Sequence, residues 1–319
     1  MAVEWIVTVH AASPREAEQA AEAALDRVAA IERVLSDYDR SSEVSLLMAA
    51  TAAEPGRSVA VSEDLADTLQ RSLAFSEMTG GAFDVTVGPL TALWRQSRKT
   101  GRLPNPDKLA AARAGTGSEQ ISLSRGPAGP EVALATAATR LDFGGIGMGY
   151  AIDAAMSLLA ERGIESAMID ASGDIAVSGP PPGRDHWRIA VPPLMRRPPD
   201  SVDVAQVVEP DTPTLALVHA AVATSGDAYQ AVVIDGARYS HIVDPRTGLG
   251  VVGPTAVTVI AKDATTADAL STATSVLGPA DGLEVIEQIE GAAVRFSWVE
   301  KAALRVEASD RWETYLERP

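Results

Sequence analysis

Strand-like and helical segments follow one another irregularly along this chain, and this irregularity limits the folds that it can adopt. The β-branched and aromatic residues from Val3 to Val9 are typical of a strand. Apolar residues at helical spacing predict helices from residue 14 to about 36 and from Ser62 to Met78. No regular strand–helix–strand alternation and no repeat of fixed period follows. The pattern therefore favours an α+β fold over a doubly wound parallel sheet.

The remainder of the chain predicts further elements of both kinds. Strand-like segments are expected on both sides of Leu141, in residues 293–299 and 304–307, and around several apolar residues between turn signals: Ile169, Ile175, Ile189, Leu215, Val232 and Val257. Four more helices are expected: one beginning near Pro106, one from about Gly149 to Arg162, one from about Thr265 to Val276 that ends at Gly278, and another that starts at Pro279.

Two segments are harder to assign from local pattern. Residues 80–90 begin with Gly80-Gly81 and predict a glycine-led turn into a strand that contains Asp84. Residues 193–213 are rich in proline and charge, which is typical of a surface excursion. Because strand patterns continue on both sides of this excursion, we expect residues 1–319 to form a single domain.

A large excess of acidic residues excludes one class of partner. The chain has 43 Asp and Glu against 27 Lys and Arg, which gives a formal net charge of −16. Nucleic-acid binders need a basic surface, so we expect no nucleic-acid partner. An anionic ligand would be repelled by the same field and needs a bound cation, a helix N-terminus or a few placed basic groups. The absence of cysteine excludes disulfides, thiolate metal sites and a cysteine nucleophile.

The sequence as it stands predicts neither a membrane span nor an export signal. No segment approaches the roughly 20 apolar residues that a spanning helix requires. Glu4 and His10 interrupt the short apolar run at the start of the chain, so no signal-peptide pattern forms there. On these grounds the chain reads as cytoplasmic, without a lipid anchor.

Residues 141–153 form the segment with the most glycine. Gly144, Gly145, Gly147 and Gly149 fall within six residues, immediately before a predicted helix. Glycines allow a backbone to approach a ligand closely, and a helix N-terminus offers free N–H groups to phosphate. The spacing fits neither the dinucleotide-binding nor the P-loop fingerprint. Tight packing between a strand and a helix is therefore an equally good explanation.

His241 has the most polar surroundings of the four histidines. It lies on a predicted strand just before a turn that contains Asp244 and Arg246. A histidine titrates near neutral pH and is therefore a natural proton acceptor. Asp244 and Arg246 could equally form a structural ion pair that ties the turn.

Asp268 and Thr272 are four residues apart on a predicted helix and therefore share one face. A carboxylate and a hydroxyl suit a hard cation such as Mg²⁺. Thr272 could instead donate to the carbonyl four residues earlier, as helical threonines often do. Upstream, residues 224–227 (Thr224, Ser225, Gly226 and Asp227) either form a self-capped turn or face a ligand.

Taken in order, these motifs resemble the FAD:protein FMN transferase family, the ApbE-like proteins. The resemblance extends from Ser36 to Gly278 and is carried by seven segments: Ser42-Glu43-Val44-Ser45, Gly81-Ala82-Phe83-Asp84, Leu141-Asp142-Phe143-Gly144-Gly145-Ile146, Asp170-Ala171-Ser172-Gly173-Asp174-Ile175, Thr224-Ser225-Gly226-Asp227, Ser240-His241-Ile242-Val243-Asp244-Pro245-Arg246-Thr247-Gly248 and Ala267-Asp268-Ala269-Leu270-Ser271-Thr272. It implies a two-lobed α+β fold in which helices flank mixed or antiparallel sheets and a ligand cleft lies between the lobes.

The resemblance also implies a reaction and a set of site residues. Family members bind FAD and Mg²⁺ and attach FMN to a threonine of an acceptor flavoprotein. By position, Asp268, Thr272 and the carbonyl of Gly145 would hold the metal, and His241 would remove the proton of the acceptor threonine. The residues expected along FAD are Asp142, Gly144, Met148, Thr224, Ser225, Gly226, Asp227 and Arg246.

The chain departs from the family pattern at two places. Met148 stands where the family usually has a lysine, so a cation near the anionic ligand is absent from that position. The family's methionine-glycine-threonine near the first strand has no counterpart in Ala2-Val3-Glu4-Trp5. Two alternatives to an active transferase therefore stay open. One is an FAD-binding protein with weak or lost transfer activity, and the other is a metal-dependent FAD pyrophosphatase. Family members are commonly exported and membrane-anchored, unlike the expectation from this sequence.

Overall fold

A computed structural model of the chain describes residues 3–196, 206–207, 209, 212–226, 231–252, 255–300 and 303–318. Its helices, in chain order, are α1 Pro14–Leu35, α2 Glu43–Ala53, α3 Glu63–Met78, α4 Gly88–Thr100, α5 Pro106–Arg113, α6 Gly147–Glu161 and α7 Ala264–Glu287, with short 3₁₀ turns at Ser118–Gln120 and Asp310–Tyr315. Its strands are β1 Trp5–His10, β2 Val59–Ala60, β3 Ile121–Gly126, β4 Gly129–Leu134, β5 Ser166–Ala171, β6 Asp174–Val177, β7 Trp187–Ala190, β8 Met195–Arg196, β9 Gln206–Val207, β10 Thr214–Leu217, β11 Ala220–Gly226, β12 Ala231–Ile234, β13 Ala237–Val243, β14 Gly250–Val252, β15 Thr255–Ala261, β16 Ala293–Glu300 and β17 Ala303–Ala308.

The chain divides into two compact units. The first comprises Met1–Ala30, Ile146–Ala228 and Pro254–Pro319, and the second comprises Ile31–Gly145 and Tyr229–Gly253. The expectation of a single domain stays a prediction.

None of the helices in the described part of the chain has the length and apolar character needed to cross a membrane.

The first unit is built on a seven-stranded sheet in the order β1-β5-β6-β11-β15-β16-β17. Every neighbouring pair of these strands is antiparallel. Helices α6 and α7 pack on one face of the sheet. The other face packs in a core cluster with the β7–β10 pair, which includes the buried residues Trp187, Leu215 and Trp312. Antiparallel strands flanked by helices confirm the predicted α+β class.

The second unit combines helices with two small antiparallel sheets, β2-β4-β3 and β12-β13-β14. Its buried cluster joins Leu90 and Trp94 of α4 with Val243 of β13. The Trp94 Nε1–H donates to the carbonyl of Ser240 at 2.7 Å, so the indole is both packed and hydrogen-bonded. This contact fixes β13 against α4.

Several predicted elements are confirmed with small shifts of their ends. Helix α3 begins one residue after Ser62 because the Ser62 hydroxyl accepts the Leu65 N–H and caps the helix. Helix α7 is interrupted at the expected place, where Gly278 has a φ of 76° and Pro279 follows. The apolar runs around Ile169, Ile175 and Val257 are strands β5, β6 and β15.

The strand expected within residues 80–90 is wrong. The Asp84 carboxylate accepts the N–H and the hydroxyl of Thr86, which folds this segment into a turn. Helix α4 then begins at Gly88, with Pro89 in its first turn. The sequence pattern also missed α2, and no strand lies between Leu134 and Ser166 on either side of Leu141.

Most of the excursion predicted at residues 193–213 lies outside the described residues. In the described part, β8 pairs with β9, and the buried Glu209 forms an ion pair with Arg295 of β16. This end of the segment is therefore attached to the sheet.

Replacing Gly250 with Ala tests the close packing around Trp94. A Cβ at this position would lie 2.5 Å from the Ser240 carbonyl oxygen and 2.6 Å from the Trp94 ring. We expect Gly250→Ala to lower the free energy of unfolding by about 1–3 kcal/mol in denaturant titrations. Val252→Ala is the control, because Val252 lies on the same strand and is 60% exposed, so its effect should stay within about 0.5 kcal/mol. Equal effects of the two substitutions would contradict this account.

Candidate functional site

The glycine-rich segment ends in the first turn of α6, where it approaches α7 closely. The Gly149 N–H donates to Oδ2 of Asp268 at 3.0 Å. A Cβ on Gly149 would lie 2.3 Å from the Ala264 carbonyl oxygen and 2.8 Å from the Thr265 Cα. Both are backbone atoms, which cannot move away by a side-chain rotation. Only glycine therefore allows α6 to approach α7 this closely. At Gly149, the glycine therefore serves the tight packing of two helices, which was one of the two explanations for this motif.

Asp268 lies near a second buried carboxylate that sequence reasoning did not single out. Asp174 begins β6 and pairs by register beside Ala223 of β11, on the side of the sheet that faces α7. Both carboxylates are almost inaccessible, with relative exposures of 8% for Asp174 and 5% for Asp268. The two side chains come from different elements of one unit and form an acidic pair.

Burial dominates the electrostatics of this pair. Burial raises the pKa of Asp268 to about 7, the Gly149 hydrogen bond opposes the rise, and the charge of Asp153 adds to it. Burial likewise raises the pKa of Asp174 well above its ordinary value, and the charge of Asp268 raises it further. Within the described part of the chain, the side-chain charges that act on the two carboxyls are all negative. The pair therefore needs a proton or a cation.

Hydroxyl groups from α7 and β11 line the same side of the sheet. The Ser225 Oγ lies 2.8 Å from the Ser271 Oγ and 3.4 Å from the Thr272 Oγ1. Ser271 donates to the Asp268 carbonyl, whereas among the described residues the Thr272 hydroxyl meets that of Ser225. The back-bonding alternative for Thr272 is thus not the arrangement seen.

Thr224 and Ser225 point to opposite faces of the sheet, as neighbours on a strand do. The Thr224 Oγ1 lies 2.9 Å from the Thr258 Oγ1 of β15. Only Ser225 of the two therefore has its side chain on the α7 side. Gly226 ends β11, and Asp227 lies outside the described residues.

The side-chain oxygen atoms on this side of the sheet are suitable ligands for a hard divalent cation. Mg²⁺ prefers oxygen ligands. The side chains that offer such oxygen atoms are Asp268, Asp174, Thr272 and Ser225. The described residues contain no cluster of three or more His, Asp or Glu side chains suited to a metal. A cation here would thus rely on two carboxylates together with hydroxyls, backbone carbonyls, water or ligand oxygens.

In the second unit, Asp142 is held by a polar network. Its Oδ2 accepts the Thr91 hydroxyl at 2.8 Å and lies 3.3 Å from Nη2 of Arg95. Its Oδ1 accepts the Gly144 N–H at 2.9 Å. Arg95 also lies over the ring of Tyr38, 5.1 Å from its centroid, and Tyr38 is 76% exposed. This network fixes the Asp142 carboxylate beside an exposed aromatic ring and a cation.

His241 lies in an irregular part of the β13–β14 ladder. The regular pairs are Tyr239 with Val252 and Val243 with Gly250, so three residues of β13 stand opposite one of β14. Bulges of this kind redirect side chains and are frequent next to active sites. The Trp94 bond to Ser240 holds the residue before His241.

Arg246 forms the structural ion pair that was one of its two interpretations. Its Nε donates to Oδ1 of Asp244 at 3.0 Å and its Nη2 donates to Oδ2 at 3.2 Å. The Arg246 N–H also donates to the same carboxylate, at 2.9 Å. The turn after β13 is therefore closed by its own residues.

The candidate residues fall into two groups. Met148, Thr224, Ser225, Gly226, Asp268 and Thr272 belong to the first unit, whereas Asp142, Gly144, Gly145, His241 and Arg246 belong to the second. Asp174, Asp153, Thr91 and Arg95 were missed. Asp174 stood within a recognised motif, and its position at the start of a buried strand was the available signal.

Comparison with known proteins relates this chain to a named family. The family model described as the ApbE family matches residues 1–296. A protein of Vibrio cholerae named FAD:protein FMN transferase is 33% identical over 257 residues, covering 79% of this chain and 72% of the relative. One of Escherichia coli with the same name is 27% identical over 315 residues, covering 98% and 86%. The crystal structure of Pseudomonas stutzeri flavinyl transferase ApbE in its apo form has a TM-score of 0.79 at 28% identity, covering 98% of this chain and 96% of that one.

The raised pKa of Asp268 makes the stability of the metal-free protein depend on pH. Between pH 3.8 and about 7, the folded state keeps the Asp268 proton whereas the unfolded chain releases it. The folded state is therefore most stable below the ordinary pKa of 3.8, and its stability falls until the pH passes about 7. In EDTA, Asp268→Asn should therefore change the unfolding free energy little at pH 4 and raise it by at least about 1.4 kcal/mol at pH 8.

Denaturant unfolding of both proteins at the two pH values measures this difference. Excess Mg²⁺ at pH 8 should stabilise the wild type more than the variant. A variant that is equally destabilised at both pH values would contradict the assignment of the charge to Asp268.

Proposed function

This chain belongs to the ApbE family, and from that premise we propose that it transfers FMN from FAD to a threonine hydroxyl of an acceptor flavoprotein in a Mg²⁺-dependent reaction that releases AMP. The relatives named FAD:protein FMN transferase support the flavin transfer. Mg²⁺ dependence, the threonine target and the release of AMP are inferences from the resemblance and the chemistry of the site.

The buried pair of Asp174 and Asp268 is the observation that carries the proposal. Two carboxylates with relative exposures of 8% and 5% lie near each other, and the side chains whose charges act on them are acidic within the described residues. Ionisation of both at neutral pH needs a compensating cation. A divalent cation at this position would also bring positive charge to a diphosphate ligand.

Asp268 and Thr272 would hold the cation, together with the Gly145 carbonyl that the family resemblance implies. When bound, Mg²⁺ supplies charge neutralisation at the phosphate oxygens. The Gly149 N–H orients the Asp268 carboxylate. The Ser225 hydroxyl, 3.4 Å from that of Thr272, limits the orientations that the Thr272 side chain can adopt.

His241 would act as the base for the acceptor hydroxyl. As the threonine oxygen forms its bond to the phosphorus on the FMN side, its proton passes to the imidazole. The bond from that phosphorus to the bridging oxygen breaks, and AMP leaves with the oxygen. FAD and a threonine hydroxyl are thereby converted to phosphoester-linked FMN and AMP, without an oxidant or a further reactant.

The remaining predicted residues would contact FAD in different ways. Asp142 and Gly144 form one hydrogen-bonded group on the second unit. Ser225 would use its side chain, whereas Thr224 would contribute through its backbone, because its hydroxyl is engaged with Thr258. Arg246, paired with Asp244, would act mainly by shaping the turn. Met148, Gly226 and Asp227 complete the proposed set.

A second candidate is an FAD-binding protein with little transfer activity. Met148 favours it, because the thioether lacks the charge that the family's lysine would bring to an anionic ligand. Such a protein would keep FAD intact in the presence of Mg²⁺ and release no AMP.

Mass spectrometry of an acceptor peptide tests the transfer. With FAD and Mg²⁺, the wild type should add one FMN to a threonine-containing peptide and release one AMP. His241→Ala should lower the rate about 10²–10⁴-fold, because the proton acceptor is lost. His186→Ala is the control, since His186 lies on the surface beside Glu317, and it should leave the rate unchanged. FMN release without acceptor would indicate the pyrophosphatase instead, and intact FAD would indicate the binding protein.

Met148→Lys tests whether position 148 faces the ligand. A lysine there should tighten FAD binding or raise the transfer rate several-fold, because it adds a positive charge near phosphate. Equilibrium dialysis of FAD at two salt concentrations measures the affinity, and the gain should diminish at high salt. An unchanged affinity and rate would show that position 148 does not face the phosphates.

A further inference from the structure

Helices α6 and α7 bind each other's N-terminal turns through carboxylates. Asp268 of α7 accepts the Gly149 N–H from the first turn of α6. In return, Asp153 of α6 accepts the N–H groups of Ala264 and Thr265 from the first turn of α7, each at 2.8 Å. The Thr265 hydroxyl donates to Asp153 as well. Each helix thus satisfies free N–H groups of the other.

Two carboxylates cap the N-terminus of α7, one from α7 itself and one from α6. Asp263 is the N-cap residue of α7 itself and accepts the Thr266 N–H at 2.9 Å and the Thr266 hydroxyl at 2.8 Å. This cap stabilises the helix locally. Asp153 comes from another helix and therefore also fixes where the first turn of α7 lies. Asp268 is one turn further along the same helix.

We propose that Asp153 is a positioning residue for the cation site, holding α7 so that Asp268 meets the Gly149 N–H and faces Asp174. This inference rests on the proposed function, because it assumes that Asp268 binds a cation. Asp153 itself donates no ligand atom in this arrangement. Its carboxylate accepts three hydrogen bonds from Ala264 and Thr265 and so holds the first turn of α7. Its charge also acts on Asp268, so the test must separate position from charge.

The close packing of the two helices makes the metal site sensitive to this contact. Gly149 approaches the Ala264 carbonyl so closely that no Cβ fits between them, so a shift of the first turn of α7 changes the distance from Asp268 to α6. Residues that orient metal ligands typically change metal affinity by about 10–100-fold when they are replaced. A loss of helix capping alone would lower stability without this change in affinity.

Substitution of Asp153 and of Asp263 by Asn gives a matched pair. Both substitutions are nearly isosteric, and both remove a carboxylate that caps the same helix end. Asp153→Asn also removes a charge that acts on Asp268, so Thr265→Val, which keeps that charge, isolates the effect of the hydrogen bonds. In Asp153→Asn, an NH2 group replaces one carboxylate oxygen, so either the Ala264 N–H or the two Thr265 donors lose their acceptor. We expect Asp153→Asn to weaken the binding of Mn²⁺ alone about 10-fold, and Asp263→Asn less than about 2-fold. Mn²⁺ is a suitable probe because it prefers the same oxygen ligands as Mg²⁺, and the EPR signal of the free ion measures its binding.

A milder pair keeps the test valid if Asp153→Asn does not fold. Thr265→Val removes the hydroxyl that donates to Asp153, and Thr266→Val removes the one that donates to Asp263. We expect Thr265→Val to weaken Mn²⁺ binding by about 2–5-fold and Thr266→Val to leave it unchanged, on the same reasoning about ligand orientation. Thermal unfolding of all four variants shows whether stability and affinity change separately.

The outcomes separate the two proposals. Wild-type protein that binds no Mn²⁺ would overturn the cation site and the role of Asp153 together. Wild-type binding with equal affinities for the Asp153 and Asp263 variants would overturn only the positioning role. Selective weakening in both the Asp153→Asn and the Thr265→Val variants supports the positioning role, whether or not peptide flavinylation is detected. Weakening in Asp153→Asn with unchanged binding in Thr265→Val would assign the effect to the lost charge and overturn the positioning role.

Discussion

The hydrogen bond from the Gly149 amide to the Asp268 carboxylate exists because no side chain separates helices α6 and α7 at that point. It gives a buried acid one charge-assisted partner, at the end of a helix where negative charge is favoured. One such bond does not offset the burial of Asp268 together with Asp174, as the raised pKa of both carboxyls indicates. The remaining imbalance is the physical reason for proposing a cation on this face of the sheet.

The parts of the structure that could be predicted from sequence are those fixed by local pattern. The break in α7 at Gly278-Pro279 and the strand at β5 follow from residue type and period. Residues 80–90 were mispredicted because a side chain, Asp84, replaces the backbone pairing that a strand would need. The four-residue spacing alone suggested Asp268 and Thr272 as a cation pair, whereas the expected role of Asp142 came only from the family resemblance.

Contacts between distant residues account for what sequence reasoning missed. Thr91 binds Asp142 across 51 positions, and Asp153 binds Thr265 across 112. Neither pair shares a spacing rule, because each depends on how separate elements pack. The opposite directions of Thr224 and Ser225 are a different case. Strand periodicity implies them, yet a motif of adjacent residues is easily treated as one contact surface.

The irregular ladder around His241 has a consequence for what this hairpin can lose. Tyr239 with Val252 and Val243 with Gly250 are regular pairs, and β13 has three residues between them where β14 has one. A chain shortened by two residues there could form an uninterrupted ladder with both flanking pairs intact. The extra length is therefore not required for the two flanking pairs, and a chain with one residue in place of these three would keep both pairs. The two flanking pairs are enough for the hairpin to fold, whereas the proposed chemistry depends on the longer segment that carries His241.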